Sequence, residues 1–202
     1  SLLLGNLVAL AQTNVRRLLA YSAIGHAGVM LLGVMIAGRA GVGIGPLFYY
    51  ATTYGLATVG AFGVIAVVDA LGGGCQKITD LAGLHRRSPL LALCLLVFFL
   101  SLAGVPPLAG FFGKFVVFAG ALQAGGISSA AGLLAVAAIL LSAVALYYYL
   151  VVLKQAIVVP PAPGRANRIA VPAGAAFTLV VTALLLVLLG LFPSIVLNVF
   201  SR

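Results

Sequence analysis

The apolar positions of the chain fall into six runs, residues 1–13, 19–38, 46–68, 89–124, 130–153 and 171–192, separated by short polar stretches. A helix that crosses a hydrocarbon core about 30 Å thick needs roughly 20 apolar residues. The first run is too short for that and looks truncated. The fourth is too long. From Pro89 to Ala124 it has 36 residues, and one straight helix of that length would measure about 54 Å. That exceeds one crossing and falls short of two with a turn between them.

The short stretch "GVPPLAG" inside this run explains its length. Pro106 and Pro107 remove two amide donors and clash with the preceding turn. Gly104 and Gly110 permit bends on either side. The run is therefore expected to be one crossing, broken at 104–110. Backbone carbonyls freed at membrane depth are tolerated only where protein covers them or water reaches them, and broken helices of this kind mark ion and substrate sites in transporters. The pattern predicts an all-α polytopic membrane protein, a single transmembrane domain with about six transmembrane segments including one broken helix.

Charge then sets the orientation. With a single crossing at 89–124, one side carries Arg16, Arg17, Lys77, Arg86, Arg87, Lys154, Arg165 and Arg168, and the other only Arg39 and Arg202. Counting two crossings reduces the asymmetry to six against four. The positive-inside rule prefers the first arrangement. It makes the cation-rich side cytoplasmic and puts the C-terminus outside, on the periplasmic side of a bacterial inner membrane. The composition agrees: 64% of residues are hydrophobic, 6% are charged and mean hydropathy is +1.29, against roughly 25% charged in a soluble domain. The net charge of +9 follows from topology, because no basic stripe is present to track nucleic-acid phosphates. Cys75 and Cys94 give neither a disulfide framework nor a metal spacing. The opening "SLLLGNLVAL" has no Met and no basic n-region, which reads as no signal peptide and as a fragment whose preceding part is missing.

Lys114 is the first candidate for chemistry. It lies four residues past Gly110 and ten before Ala124, about 15 Å from that end if helical, near the bilayer midplane. A lysine there costs about 2.5–3.5 kcal/mol on insertion scales and marks a functional site by default. Burial disfavours the charged form, so such a group can gain and lose a proton. Alternatively, it braces the break by hydrogen-bonding the freed carbonyls, and the two roles are compatible. His26 is the second candidate, one turn from Ser22 on the same face of its helix. It suits a proton path or serves as a buried neutral group bonded to a serine or carbonyl. In "FYYATTYGLATVGAF" Tyr54 and Thr58 share a face, with Thr52 and Thr53 nearby. They can bridge to waters or bond helix carbonyls and neighbouring helices. "LYYYL", residues 146–150, reads as an interfacial aromatic belt. Nothing resembles a phosphate loop, a metal or haem ligand set or a nucleophile triad. The reading therefore assigns the chain no cofactor, no metal and no redox centre of its own.

Three stretches together, "ALAQTNVRRLLAYSAIGHAGVMLLG" (9–33), "DLAGLHRRSPLLAL" (80–93) and "SLAGVPPLAGFFGKF" (101–115), resemble the antiporter-like membrane subunits of respiratory complex I, most closely the subunit N family, whose mitochondrial equivalent is subunit 2. The resemblance runs over nearly the whole chain. It implies the second of two inverted repeats of the antiporter-like fold, plus a final helix. It places Lys114 on the proton-channel lysine of the second broken helix, Pro106 and Pro107 on its break, and His26 on a polar position in the helix after the "NVRRLLAYS" loop. The implied function is proton translocation, as a translocase subunit of NADH–quinone oxidoreductase. NADH and quinone would act at other subunits, and the partners would be the other membrane subunits, including neighbouring antiporter-like ones. The larger antiporter-like subunits and the true antiporters usually carry histidine and lysine in the helix matching 46–68. This chain has neither there, which favours subunit N and puts the lysine that partners Lys114, with an acidic glutamate, upstream. The remaining alternatives are a subunit of a multi-component cation/proton antiporter and a non-catalytic membrane scaffold.

Overall fold

The computed structural model describes residues 1–38, 43–164 and 167–194. They form eight α-helices: α1 (Leu2–Leu10), α2 (Val15–Ile36), α3 (Gly45–Leu71), the single turn α4 (Leu84–Arg87), α5 (Pro89–Ala103), α6 (Ala109–Gln123), α7 (Ala130–Ile157) and α8 (Ala173–Leu191). A short 3-10 turn spans Ile78–Leu81, and no β-strand occurs among the described residues. The expected placements of Arg39, Arg165, Arg202 and the C-terminus lie outside the described residues.

Helix is the open-chain conformation that satisfies its own backbone in lipid, and polar side chains decide where each helix starts. Asn14 Oδ1 accepts from Arg16 N (3.0 Å) and Arg17 N (3.1 Å), so α2 begins at Val15, four residues before its apolar run. Ser88 caps α5, with Pro89 at the first helical position, where a missing amide costs nothing. Ser129 caps α7 through Gly132 N at 3.0 Å. Helices α3 and α7 run about a turn past their apolar limits, because helical hydrogen bonds continue after the side chains turn polar. Four helices, α2, α3, α7 and α8, are long and apolar enough to cross a membrane by themselves. Helices α5 and α6 have 15 residues each, about 22 Å apiece.

Three connections meet at one end of the bundle. Val15 N bonds Gln76 O (2.9 Å) and Ile78 N bonds Thr13 O (2.9 Å), pairing the α1–α2 connection with the one that follows α3. Gly83 N bonds Gln155 O (3.2 Å) near the end of α7, and Ile169 N bonds Arg87 O (2.9 Å) before α8. Arg16 Nη2 meets Asp69 Oδ2 at 2.6 Å. Asp69 also accepts Cys75 N (2.7 Å), and Asp80 accepts Gln76 N and Lys77 N (3.0 and 2.8 Å). Both acidic residues of the chain are therefore engaged at this cation-bearing end. Helix α5 leaves it, and α6 finishes in one cluster with Ile36 and Ala131 at the opposite end.

The buried apolar side chains form two clusters rather than one. The first takes Leu18 and Leu19 of α2, Ala57 to Val68 of α3, most of α5, Ala145 to Ala156 of α7, and α8. The second takes Val29 to Ile36 of α2, Tyr50 of α3, Val117 to Ala121 of α6, and Ala131 to Ala138 of α7. On each of four helices the stretch between the two clusters holds the polar residues: Ser22 and His26 on α2, Thr53 and Tyr54 on α3, Lys114 on α6, Ser142 on α7. A polar layer thus crosses the middle of the bundle.

Candidate functional site

The site grows from the break between α5 and α6. Helical bonding stops at Ala103 and resumes at Ala109, and the Pro106–Pro107 peptide is cis. A helix end leaves its last four carbonyls without intrahelical donors, and at this depth each needs another partner. Two are taken by the turn itself. Gly104 adopts φ +84°, a left-handed conformation open to glycine, so its N–H reaches Leu100 O and Ser101 O, and Val105 N also bonds Leu100 O, all at 3.0 Å. The other two are Leu102 O and Ala103 O. In a continuous helix their donors would be the amides four residues on, at positions 106 and 107, both prolines. Lys114 Nζ donates to these two carbonyls instead, at 3.0 and 3.1 Å. The lysine replaces the two donors the prolines lack. The negative end of the α5 dipole adds a favourable field for its charge.

Gly110 is not a bend residue, contrary to the sequence expectation. It is the second residue of α6. A Cβ there would collide with Ser101 O, so glycine is required for the close approach of α6 to α5. Gly110 N also bonds Ser101 Oγ at 3.2 Å. The break is accordingly shorter than 104–110, covering 104–108. Behind it, α8 seats Gly190 against Pro107 O and Ala109 N, and Tyr49 Oη donates to Leu189 O at 2.7 Å.

Lys114 is buried, 7% exposed. Two small cavities adjoin it. One, ≈ 10 Å³, is lined by Asn6, His26, Tyr50, Ser142 and Lys114 with apolar neighbours. The other, also ≈ 10 Å³, is lined by His26, Tyr50, Thr53, Tyr54, Ser101 and Lys114. Each is about the size that admits one water, and polar side chains are among the residues that line both. A larger open groove of ≈ 380 Å³ along α6 and α7, lined mainly by apolar residues such as Phe115 and Ile139, also reaches Lys114. His26 is near the middle of α2 and Ser142 near the middle of α7, which sets the depth of the lysine beside them.

His26 is buried and makes two hydrogen bonds, from Nδ1 to Tyr50 Oη (2.6 Å) and from Nε2 to Tyr149 Oη (3.2 Å). Ser22 Oγ bonds the same Tyr149 hydroxyl. Tyr54 packs its ring on the imidazole at 4.6 Å between centroids. Of the expected polar wire, Tyr54 therefore packs directly on His26 and Ser22 is linked to it through the Tyr149 hydroxyl, whereas the Thr58 hydroxyl is buried without a hydrogen-bond partner among the described residues. Thr53 bonds back to Tyr49 O and Tyr50 O (3.0 and 3.2 Å), and Thr52 faces outward.

Two functional candidates escaped the sequence reading. Tyr50 sits four residues before Tyr54 and eight before Thr58, a helical spacing that could have revealed it. Tyr149 was hidden in "LYYYL". Only Tyr147 of the three tyrosines is exposed, at 63%; Tyr148 and Tyr149 are buried. The belt expectation fails because α7 continues to Ile157, which draws these tyrosines about 12 Å inside the helix end. No group of three or more His, Cys, Asp or Glu side chains that could hold a metal ion occurs among the described residues.

Comparison with known proteins places this arrangement. Residues 1–142 match the family described as NADH:quinone oxidoreductase/Mrp antiporter, TM. A protein of Acidobacterium capsulatum named NADH-quinone oxidoreductase subunit N 2 is 54% identical over 199 residues, covering 98% of this chain and 39% of its own length. A chain in the structure of respiratory complex I from Thermus thermophilus superposes with TM-score 0.81 at 40% identity, over 98% of this chain and 43% of that one. A chain of the Mrp complex from Dietzia shares the fold, with TM-score 0.83 at 21% identity over 99% of this chain and 44% of that one. This chain thus spans about two fifths of the length of these relatives. With a match over more than half of its residues, the chain belongs to the NADH:quinone oxidoreductase/Mrp antiporter transmembrane family.

Proposed function

We propose that the chain is the second-repeat portion of a proton-translocating subunit N of NADH–quinone oxidoreductase, and that Lys114 is the group in it that takes up and releases protons. One observation carries the reading. Among the described residues Lys114 is held only by neutral carbonyls, and the two acidic residues of the chain, Asp69 and Asp80, are both committed at the cation-rich end. The carbonyls favour the charged form without neutralising it. Its protonation can then be set by a charge that approaches or withdraws from outside this chain. His26 and the small cavities supply a route for the proton.

The energy would come from quinone reduction by NADH at other subunits, and this chain would contribute no redox centre. Its partners would be the neighbouring membrane subunits of the complex, including other antiporter-like ones. The cation-rich end would face the cytoplasm of a bacterial inner-membrane protein, with the C-terminus on the periplasmic side. The names of the relatives and the asymmetry of the cations support this placement.

The test is a pair of substitutions in the intact complex, with NADH-driven proton uptake measured in membrane vesicles. Lys114→Ala removes both the donors and the exchangeable proton, so pumping is expected to be lost. Lys114→Arg keeps the donors but holds its proton too tightly for exchange, so it is expected to restore assembly without restoring pumping. Wild-type pumping by Lys114→Arg alone would reduce the lysine to a brace of the broken helix. Wild-type pumping by both would dismiss it from either role. The likeness of fold to the Mrp complex supports a second reading, a cation/proton antiporter subunit that uses the same lysine. Pumping driven by NADH distinguishes the two.

A further inference from the structure

We infer that the Tyr149 hydroxyl is a proton-path residue, joining His26 to Ser22 across the seam between α2 and α7. The inference rests on the proton-translocating reading of Lys114. Its basis is the connectivity of one buried cluster. Tyr149 is fully buried and its oxygen touches both Ser22 Oγ and His26 Nε2, while the other imidazole nitrogen touches Tyr50 Oη. His26 and Tyr50 then line the cavities that Lys114 also lines. Ser22, Tyr149, His26, Tyr50 and Lys114 thus form one series over four helices, with room for a single water at its end.

Each member can accept a proton on one atom or lone pair while giving one up from another. A proton reaching Ser22 Oγ displaces that hydroxyl's own proton to Tyr149 Oη. The Tyr149 proton passes to His26 Nε2, the imidazolium gives its Nδ1 proton to Tyr50 Oη, and the Tyr50 proton goes to the cavity water and on to neutral Lys114. One O–H or N–H bond forms for each that breaks, and no electron moves. The series works equally in reverse. Ser22 is one turn nearer than His26 to the cation-rich end of α2. Beyond it Leu18 and Leu19 are buried and apolar.

The adjacent Tyr148 serves as the comparison. It is also buried, but its hydroxyl donates to Asn6 Oδ1 at 3.2 Å, and the Asn6 amide donates in turn to Leu2 O at 2.8 Å. Asn6 lines the cavity that Lys114 lines, but an amide does not readily pass a proton on, so this branch lacks the continuous hydroxyl and imidazole series that runs through Tyr149.

The experiment compares Tyr149→Phe, Tyr148→Phe, Ser22→Ala, Ser22→Thr and Lys114→Ala in the intact complex, with assembly and NADH-driven proton uptake both measured. Tyr149→Phe and Ser22→Ala are expected to assemble and to lose most of their pumping. Tyr148→Phe is expected to keep more of its pumping than Tyr149→Phe. Ser22→Thr keeps a hydroxyl in place and is expected to pump better than Ser22→Ala, a rescue that a packing role would not give. Normal pumping by Tyr149→Phe, with Lys114→Ala inactive, overturns the inference and leaves the lysine reading standing. Equal losses in Tyr148→Phe and Tyr149→Phe overturn it too, since the seam would then matter only for packing. If Tyr149→Phe fails to assemble, Ser22→Ala decides, and undiminished pumping there is the overturning result. Normal pumping by Lys114→Ala removes the lysine reading and the inference together.

Discussion

At the residue scale the break depends on single atoms. The site needs α5 and α6 to approach closely enough for Lys114 Nζ to reach two carbonyls of the other half-helix, and Gly110 permits it. Its Cβ position is occupied by Ser101 O, a backbone atom that cannot rotate away. Gly110→Ala is therefore expected to destabilise the assembled complex by about 1–3 kcal/mol, the usual cost of overpacking, and to weaken pumping by moving Lys114 off its acceptors. Thermal unfolding of the solubilised complex would show it. An unchanged midpoint would mean that the Ser101 carbonyl can shift at no cost. Lys114, Pro106 and Pro107 were legible without a structure because each states its chemistry by type: an ammonium among apolar residues, and two residues with no N–H. Tyr149 was not, because a tyrosine suits an interface and an interior equally. Gly110 was legible as glycine, but its purpose was misread as bending, because sequence does not show which backbone lies opposite.

At the scale of elements, the prolines and the lysine are two halves of one device. Restoring amides at both positions returns donors in register with Leu102 O and Ala103 O, in competition with Lys114. Pro106→Ala combined with Pro107→Ala is expected to lengthen α5, to give the new amides at positions 106 and 107 slow exchange, and to lower NADH-driven pumping although the lysine is intact. Hydrogen exchange on the purified complex reads the first effect. Fast exchange at both positions together with normal pumping would show that Gly104 and the packing of α8 maintain the break without the prolines. The apolar runs located the long helices, yet their ends were displaced by up to a turn. Hydropathy reports where side chains leave the membrane, whereas Asn14 and the continuing hydrogen bonds of α3 and α7 report where helix stops. The four-residue shift at the end of α7 was enough to turn two interior tyrosines into apparent interface residues.

At the scale of the whole molecule, the three connections at the cation-rich end are hydrogen-bonded to one another, so they lie on one side of the membrane together. Cysteines placed at Thr79 and Ser128, both exposed, test which side. In vesicles with the periplasmic face outward, an impermeant maleimide is expected to label Ser128→Cys and to spare Thr79→Cys. Ala82, in the same connection as Thr79, is buried and unsuited to labelling. The reverse pattern would invert the orientation drawn from the positive-inside rule. Labelling of both from one side would contradict the single crossing of α5 and α6.

The sequence by itself determined the class of the protein, the runs that form its long helices, the broken helix and the lysine within it. Those features follow from hydropathy, from covalent chemistry and from local spacing, and all three are written along the chain. Only the tertiary structure decided what the lysine holds, which hydroxyls His26 meets and that the polar residues of four helices align in one layer between two apolar clusters. Helix–helix register is set by packing between residues far apart in sequence, as with Gly110 on Ser101, Gly190 on Pro107 and Tyr149 on Ser22. No local pattern encodes which face of one helix meets which face of another.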